Sequence, residues 1–583
     1  MIRTPLRPLA RILHARSKGE NPDVIERNNI RIRHEEMRGK SRARAEGRIL
    51  ALSMMLLVSF IAVGGRMAFL AFNDPVETSV GFTGSGIISQ RADIVDRNGY
   101  LLATNLDTYS LYFQQRDMID PETAAKRLAE IIPAIDEKEQ FAEFTGEKKF
   151  GWIKKKLSPE QKQLIHEIGE PGLKLGPREF RVYPNGRLAG HVLGGTTFDK
   201  EGVTAAEVVG VAGVEKKFDG RLRDPVHGHE ALELSIDLAV QTVLEQMLRS
   251  GMKVFDAKTA LAILMDVKTG EVVALSSLPD FDPNDRKTQP QENADASPLF
   301  NRAIQGVYEL GSTFKPITMV QALDLGLINP STKVDISKPI KFGKHEINDY
   351  RYNGKSLTAT EIMVKSSNIG TARISQMIGQ KRHRDFLKAL GFLDPLEIEV
   401  AEANQSRPLF PARWSELSTM TISFGHGISV TPMHLASAYA TIANGGLLVK
   451  PTLLKQNREI RGERVLGAKA CEEVLVMMRK SVSESFFKMA DVNGYAVAGK
   501  TGTADKPKKN ARGYYKDKVI ATFASVFPAD SPQYVLVVTL DEAEDNSTPE
   551  PKRTAGWTAA PLAAEIIGRL APLLGLRPDF KTS

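Results

Sequence analysis

At 583 residues, with 42% apolar and 25% charged side chains, the chain is long enough for two or more domains and ordinary for packed globular structure. Its single cysteine, Cys471, excludes an internal disulfide framework and a thiolate-rich metal site. The net charge of +8 belongs to one end, because residues 1–48 hold 13 Lys or Arg against 6 Asp or Glu and leave a balance of +1 for everything that follows.

That basic start reads as a solvated cytoplasmic tail. Its arginines would also suit nucleic acid, but no aromatic interleaving or zinc-ligand spacing accompanies them, so no nucleic-acid partner is expected. Next come seventeen residues without a charge, 49–65, and then Arg66 and residues 67–72. Seventeen is the short limit for a bilayer span. Arg66 can snorkel to the interface and let Phe69 and Phe72 extend the segment, which predicts a transmembrane helix over 49–72. A cleaved signal peptide is the rival, with small residues at Ala62-Val63-Gly64, yet a leading region of 48 residues is far longer than a signal peptide's basic start. The charge asymmetry then places the tail inside and everything after residue 72 outside the cytoplasm.

Residues 73–90, with their Gly, Ser and Thr between 78 and 86, read as a linker. Over 91–230 the pattern is mixed: turn signals at Arg97-Asn98-Gly99 and Tyr183-Pro184-Asn185-Gly186 flank a charged, helix-like stretch over 121–168. No chemical constellation stands out there. His227-Gly228-His229-Glu230 reads as an exposed turn rather than a metal site, and no metal is expected. From 231 to 575 helix and strand alternate: a helix over 238–248, a hairpin over 260–277, a helix opened by Ser312, a helix over 436–443, strands over 495–503, 522–526 and 534–540, and a closing helix over 560–574. An antiparallel sheet with helices on both sides and at its end fits this order, an α/β chain of the α+β kind, with 576–583 as a terminal tail.

Three short motifs lie in this last region: Ser312-Thr313-Phe314-Lys315, Ser366-Ser367-Asn368 and Lys500-Thr501-Gly502-Thr503. Each is weak alone, since S-x-x-K recurs at Ser250 and Ser485, and Lys268-Thr269-Gly270 is a second K-T-G. Context separates them. Ser312 precedes a buried helical run, which puts Lys315 one turn on and on the same face, with Pro316 in the first turn where a missing N–H costs least. Ser250 closes a helix at Gly251, a C-cap that leaves Lys253 beyond it. Lys268-Thr269-Gly270 joins two apolar runs and reads as a hairpin turn. Lys500 instead follows a strand-like run, and Gly502 leaves room for an extended peptide alongside an edge strand.

The three motifs in this order form the set of serine enzymes that attack penicillins or D-alanyl-D-alanine ends. With Arg91 to Gly99, Arg181-Val182-Tyr183-Pro184, Gly213-Val214-Glu215, Pro279 to Asn284, and Ser423-Phe424-Gly425-His426-Gly427, the chain resembles the class B penicillin-binding proteins, most of all their division-specific transpeptidases. The Ser-Ser-Asn-Ile-Gly form of the second motif points to division, because elongation counterparts often carry Asp at the position of Asn368. Ala92, Leu310, His434 and Ser525 depart from the family pattern, and the Gly-rich stretch expected near 391–405 is weak.

The resemblance implies a non-catalytic pedestal of the dimerisation type over 91–230 and a transpeptidase domain over 231–575. Ser312 is the implied nucleophile and Lys315 its base, whose pKa near 10.4 must fall to near neutrality at a cost of about 4 kcal/mol. Lys500 supplies the depressing charge and holds the substrate carboxylate, with Thr501, Gly502 and Thr503 alongside. Ser366 passes the proton to the leaving amine, Asn368 orients substrate and Lys315, and the N–H groups of Ser312 and Thr503 form the oxyanion hole. No cofactor is implied. The implied partners are peptidoglycan stem peptides and, lacking glycosyltransferase motifs of its own, an FtsW-type polymerase with other division proteins in the inner membrane. An elongation transpeptidase is the alternative; a β-lactamase, a penicillin receptor or an inactive scaffold fits less well, since all three motifs are intact and no signalling domain is visible.

Overall fold

Alternation decides the central sheet. In the strand Thr259–Asp266, Ile263 and Met265 pack into one core while Ala262 and Leu264 pack into another. In Tyr534–Asp541, Val535 and Val537 face the first core, and Leu536, Val538 and Leu540 the second. Successive side chains of a strand point to opposite faces, so strands apolar at every position must be covered on both. This chain does so with helices. Leu238–Val254 and Ala559–Leu573 lie together on one face, and Pro432–Ala443, backed by Ala468–Ser483, lies on the other.

The structure is a computed structural model and describes residues 9–72, 91–201, 206–224, 230–286, 296–343, 345–459, 462–484, 488–508 and 513–580. The central sheet has five antiparallel strands in the order Ala498–Pro507, Tyr514–Phe527, Tyr534–Asp541, Thr259–Asp266, Val272–Leu278. Ala498–Pro507 is therefore an edge strand, with one side free of strand pairing. The turn at Lys268-Thr269-Gly270 is the expected hairpin: Asp266 Oδ1 accepts from the N–H groups of Lys268 and Thr269, and Gly270 takes φ +74°. Tyr495, Ala496 and Val497 precede the edge strand rather than belonging to it.

One expectation is corrected at Gly251. The helix Leu238–Val254 runs straight through it and includes Lys253. Gly251 is there for packing, since a Cβ would lie 2.4 Å from Leu562 of the neighbouring helix. Ser485 and His227-Gly228-His229 lie outside the described residues, as does the 73–90 linker.

A second five-stranded sheet is built on the long strand Leu101–Gln114, which pairs with Ile94–Val95, Phe150–Lys154 and Leu173–Val182; Ile94–Val95 also pairs, in parallel, with Leu232–Glu233. The region read as helical over 121–168 is three helices, Pro121–Ile131, Glu137–Thr145 and Pro159–Ile168, interrupted by the strand Phe150–Lys154. At the base of this part Glu215, fully buried, accepts from Nε of Arg91 and Nε of Arg181 at 2.7 Å each, and from the Tyr183 hydroxyl at 3.3 Å. Paired in this way, three buried charges and a phenol share one network, with Arg181 Nη2 alone left without a hydrogen-bond partner in it.

Residues 1–86 form a separate compact unit from residues 87–583. It holds the helices Leu9–Ser17 and Asp23–Phe72. Among the described residues no helix is long and apolar enough to cross a membrane, so the structure does not show the transmembrane helix expected over 49–72. The apolar side chains between Ile49 and Val63 are exposed all the way round the helix, Leu50, Met54, Leu57, Phe60 and Ile61 among them.

Candidate active site

Gly311 takes φ +56° and its N–H donates to the Gly425 carbonyl at 3.2 Å, which turns the chain into a short 3-10 helix, Gly311–Phe314, ahead of the α-helix Lys315–Asp324. Ser312 thus sits one tight turn before the α-helix rather than opening it. The Lys315 N–H donates to the Ser312 carbonyl, so a single 3-10 turn joins nucleophile candidate and base candidate. Tyr439, buried in the helix behind, fixes the turn by donating to the Thr313 carbonyl at 2.8 Å. Pro316 lies in the first turn of the α-helix, as expected.

The second motif is a joint between two helices. Ala359–Lys365 ends where Ser366 adopts the left-handed conformation, φ 57° and ψ 42°, which costs a residue other than glycine about 1 kcal/mol or more. Ser367 then caps Asn368–Ile378 by accepting from the Gly370 N–H at 2.9 Å. The kink turns both flanking residues toward Lys315. Lys315 Nζ donates to Ser366 Oγ at 3.0 Å, to Asn368 Oδ1 at 2.8 Å, and to the Ser366 carbonyl.

The edge strand carries the third motif against the serine turn. A Cβ on Gly502 would lie 2.2 Å from the Leu310 carbonyl oxygen, and one on Gly311 would lie 3.1 Å from that of Thr503. Only glycine permits this approach. Thr501 and Thr503 share one face of the strand by alternation; Thr503 is exposed, and Ser312 and Thr501 are half-buried. The Ala555 N–H donates to Thr503 Oγ1 at 3.0 Å, which leaves the hydroxyl proton to donate outward.

Lys315 and Lys500 are 0% and 2% exposed. Burial, with the charge of Lys500 added, holds the Lys315 amine well below the ordinary lysine range, and the carboxylate of Asp349 opposes that fall. Burial takes Lys500 down to about 8. Burial and the neighbouring Lys500 thus both favour the neutral form of the Lys315 amine, the direction a lysine base needs. All the residues singled out in the sequence meet here: Ser312, Lys315, Ser366, Asn368, Lys500, Thr501, Gly502 and Thr503.

Two groups escaped sequence reasoning. Asp349, in the loop after the strand His345–Ile347, accepts from Ser367 Oγ at 2.7 Å and from the Ile369 N–H at 3.0 Å. It stands in a polar stretch with nothing local to mark it. Glu309 accepts from the Gly427 N–H at 2.8 Å and from the Tyr514 hydroxyl at 3.1 Å, and it faces His426. Its place three residues before Ser312 was the available signal. A cavity of about 750 Å³ bordered by Lys268, Thr269, Glu397 and Lys450 lies at the other K-T-G instead. There Lys450 pairs with Glu397, and Glu399 accepts from Thr452 and Leu453. The motif alone, without a serine turn against it, does not make this site.

The description of a penicillin-binding protein transpeptidase domain matches residues 260–568, more than half of the chain. The chain belongs to the penicillin-binding transpeptidase family. A penicillin-binding protein dimerisation domain matches residues 87–235, the class B arrangement. Relatives of this class B protein include a probable peptidoglycan D,D-transpeptidase FtsI of Caulobacter vibrioides, 34% identical over 84% of this chain and 82% of its own. The peptidoglycan D,D-transpeptidase FtsI of Escherichia coli is 28% identical over 85% and 86%. Among solved structures, penicillin-binding protein 3 of Mycobacterium tuberculosis, complexed with aztreonam, shares the fold with a TM-score of 0.63 at 24% identity, covering 84% of this chain and 97% of its own. Penicillin-binding protein 2X of Streptococcus thermophilus does so with a TM-score of 0.69 at 21% identity, over 84% and 80%.

Proposed function

We propose that this chain is an FtsI-type peptidoglycan D,D-transpeptidase that cross-links stem peptides at the division septum through an acyl-enzyme on Ser312. The observation that carries the reading is Lys315: an amine depressed by burial and then by Lys500, hydrogen-bonded to Ser366 and Asn368 and one turn from Ser312. In the neutral state Lys315 has two N–H groups and a lone pair. Donating to the Ser366 carbonyl and Asn368 Oδ1 leaves the lone pair for a hydroxyl proton.

The steps then follow. Ser312 Oγ attacks the carbonyl between two D-alanines as its proton passes to Lys315, and the oxyanion is held by the N–H groups of Ser312 and Thr503. Collapse breaks the peptide bond, and Ser366 relays the proton from Lys315 to the departing D-alanine amine. Lys500 and the outward hydroxyls of Thr501 and Thr503 hold the terminal carboxylate. An amine of a neighbouring stem peptide next attacks the ester, gives up a proton through Lys315, and returns the hydroxyl to Ser312. A β-lactam is opened by the same attack, and its acyl-enzyme is not readily attacked in turn.

Residues 49–72 anchor the protein in the inner membrane in this reading, with the basic tail in the cytoplasm and the catalytic body outside. Support comes from the all-round exposure of the apolar side chains between Ile49 and Val63, an arrangement that water disfavours by about 25 cal/mol per Å². Glycan polymerisation comes from an FtsW-type partner. Full-length protein given a donor pentapeptide and an acceptor stem peptide is expected to release D-alanine and form the cross-linked dimer in equal amounts. D-Alanine release without dimer would make the chain a carboxypeptidase and overturn the reading.

A further inference from the structure

The second motif does not hold itself against Lys315. Ser366 is in a left-handed conformation and Asn368 opens a helix, so the relative placement of their side chains depends on the Ser367 cap and the first turn of Asn368–Ile378. Both are gripped from outside by Asp349, whose Oδ2 accepts from Ser367 Oγ at 2.7 Å and whose Oδ1 accepts from the Ile369 N–H at 3.0 Å. The adjacent carbonyl of Asn348 accepts from Asn368 Nδ2 at 3.1 Å, which fixes Oδ1 of the same amide toward Lys315. The loop is itself anchored, because Ile347 is buried against Ala372 and Met420.

We propose that Asp349 is a positioning residue for acyl transfer: it sets Ser366 and Asn368 on the Lys315 amine and supplies the anion that steadies Lys315 when that amine takes the serine proton beside Lys500. The second part follows from the charges. General-base catalysis makes Lys315 a cation in a buried site that already holds Lys500, and the groups facing it are Lys500 from the edge strand, Ser366 and Asn368 from the helix joint, its own serine turn, and Asp349 from the loop. Asp349 acts through other residues and touches no substrate. The inference rests on the assignment of Ser312 as nucleophile and Lys315 as its base.

The test is the second-order rate of acylation of the full-length protein by a fluorescent penicillin, measured across pH for the wild type, Asp349→Asn and Asp349→Glu, with melting temperatures alongside. Asp349→Asn keeps the size but removes the charge and one acceptor. It is expected to lower the plateau rate at least tenfold and to move the acid limb to lower pH, since the carboxylate holds the Lys315 proton on. Asp349→Glu is expected to keep the acid limb where the wild type has it. A plateau within twofold of wild type, or a fall accompanied by an unmoved acid limb and a lowered melting temperature, would overturn the proposal. Failure of the wild type to label, or labelling of Ser312→Ala, would overturn the site assignment itself and is read separately.

Discussion

His426 Nδ1 lies 3.0 Å from Glu309 Oε2, across the loop that also binds the serine turn through Gly425. At that distance the protonated imidazole and the carboxylate make a charge-assisted hydrogen bond. Tyr514 lies tilted beside the imidazole with ring centroids 5.0 Å apart, and Asp505 adds a second negative charge.

The contact with Glu309 raises the His426 pKa against the opposing effect of burial. A raised value in the folded state gives a contribution that is fully present below the ordinary imidazole range and is lost as pH rises through the raised value. Because His426 is nearly half exposed, the contribution is expected to be under about 1 kcal/mol. Urea unfolding of the wild type and His426→Gln across pH checks this. The difference is expected to be largest in mild acid and to vanish above the raised value.

Gly425 takes φ +80°, and a Cβ there would lie 2.0 Å from the Gly311 carbonyl oxygen. Gly425→Ala is expected to push the serine turn out of register with the edge strand, costing about 1–3 kcal/mol in backbone strain and at least tenfold in penicillin acylation. Acylation rate and melting temperature measured on one preparation separate the two effects.

Glu215→Ala leaves two buried guanidinium groups without their shared carboxylate. A loss of about 3–5 kcal/mol is expected, felt in the 87–235 part, and urea unfolding followed by the fluorescence of Trp152 reports it. Glu215→Gln is expected to recover little, since the neutral amide cannot balance two cations.

Cys471 is fully buried and burial pushes its thiol up to about 12. It is expected to resist iodoacetamide in the folded protein and to react stoichiometrically in denaturant, with mass spectrometry as the readout.

The motif residues were legible in the sequence because each lies within a few residues of its neighbours: Ser312 and Lys315 share a turn, Ser366 and Asn368 a kink, and Lys500 to Thr503 a strand. The sheet was legible because strands buried on both faces leave unbroken apolar runs. Asp349 was not, since its role depends on a loop returning to the N-terminus of a helix, which no local pattern encodes. Gly251 misled because a glycine that ends a helix and one that admits Leu562 look alike in one dimension. The strand at 150–154 was hidden by the charged helices on either side of it.

The most direct test of the central claim is the intact mass of the full-length protein after exposure to benzylpenicillin, with the adducted peptide located by fragmentation and its loss followed for an hour. One penicilloyl group on Ser312, stable over that hour and absent from Ser312→Ala, is the result expected. An adduct on another residue, or turnover of the penicillin without a lasting adduct, would contradict it.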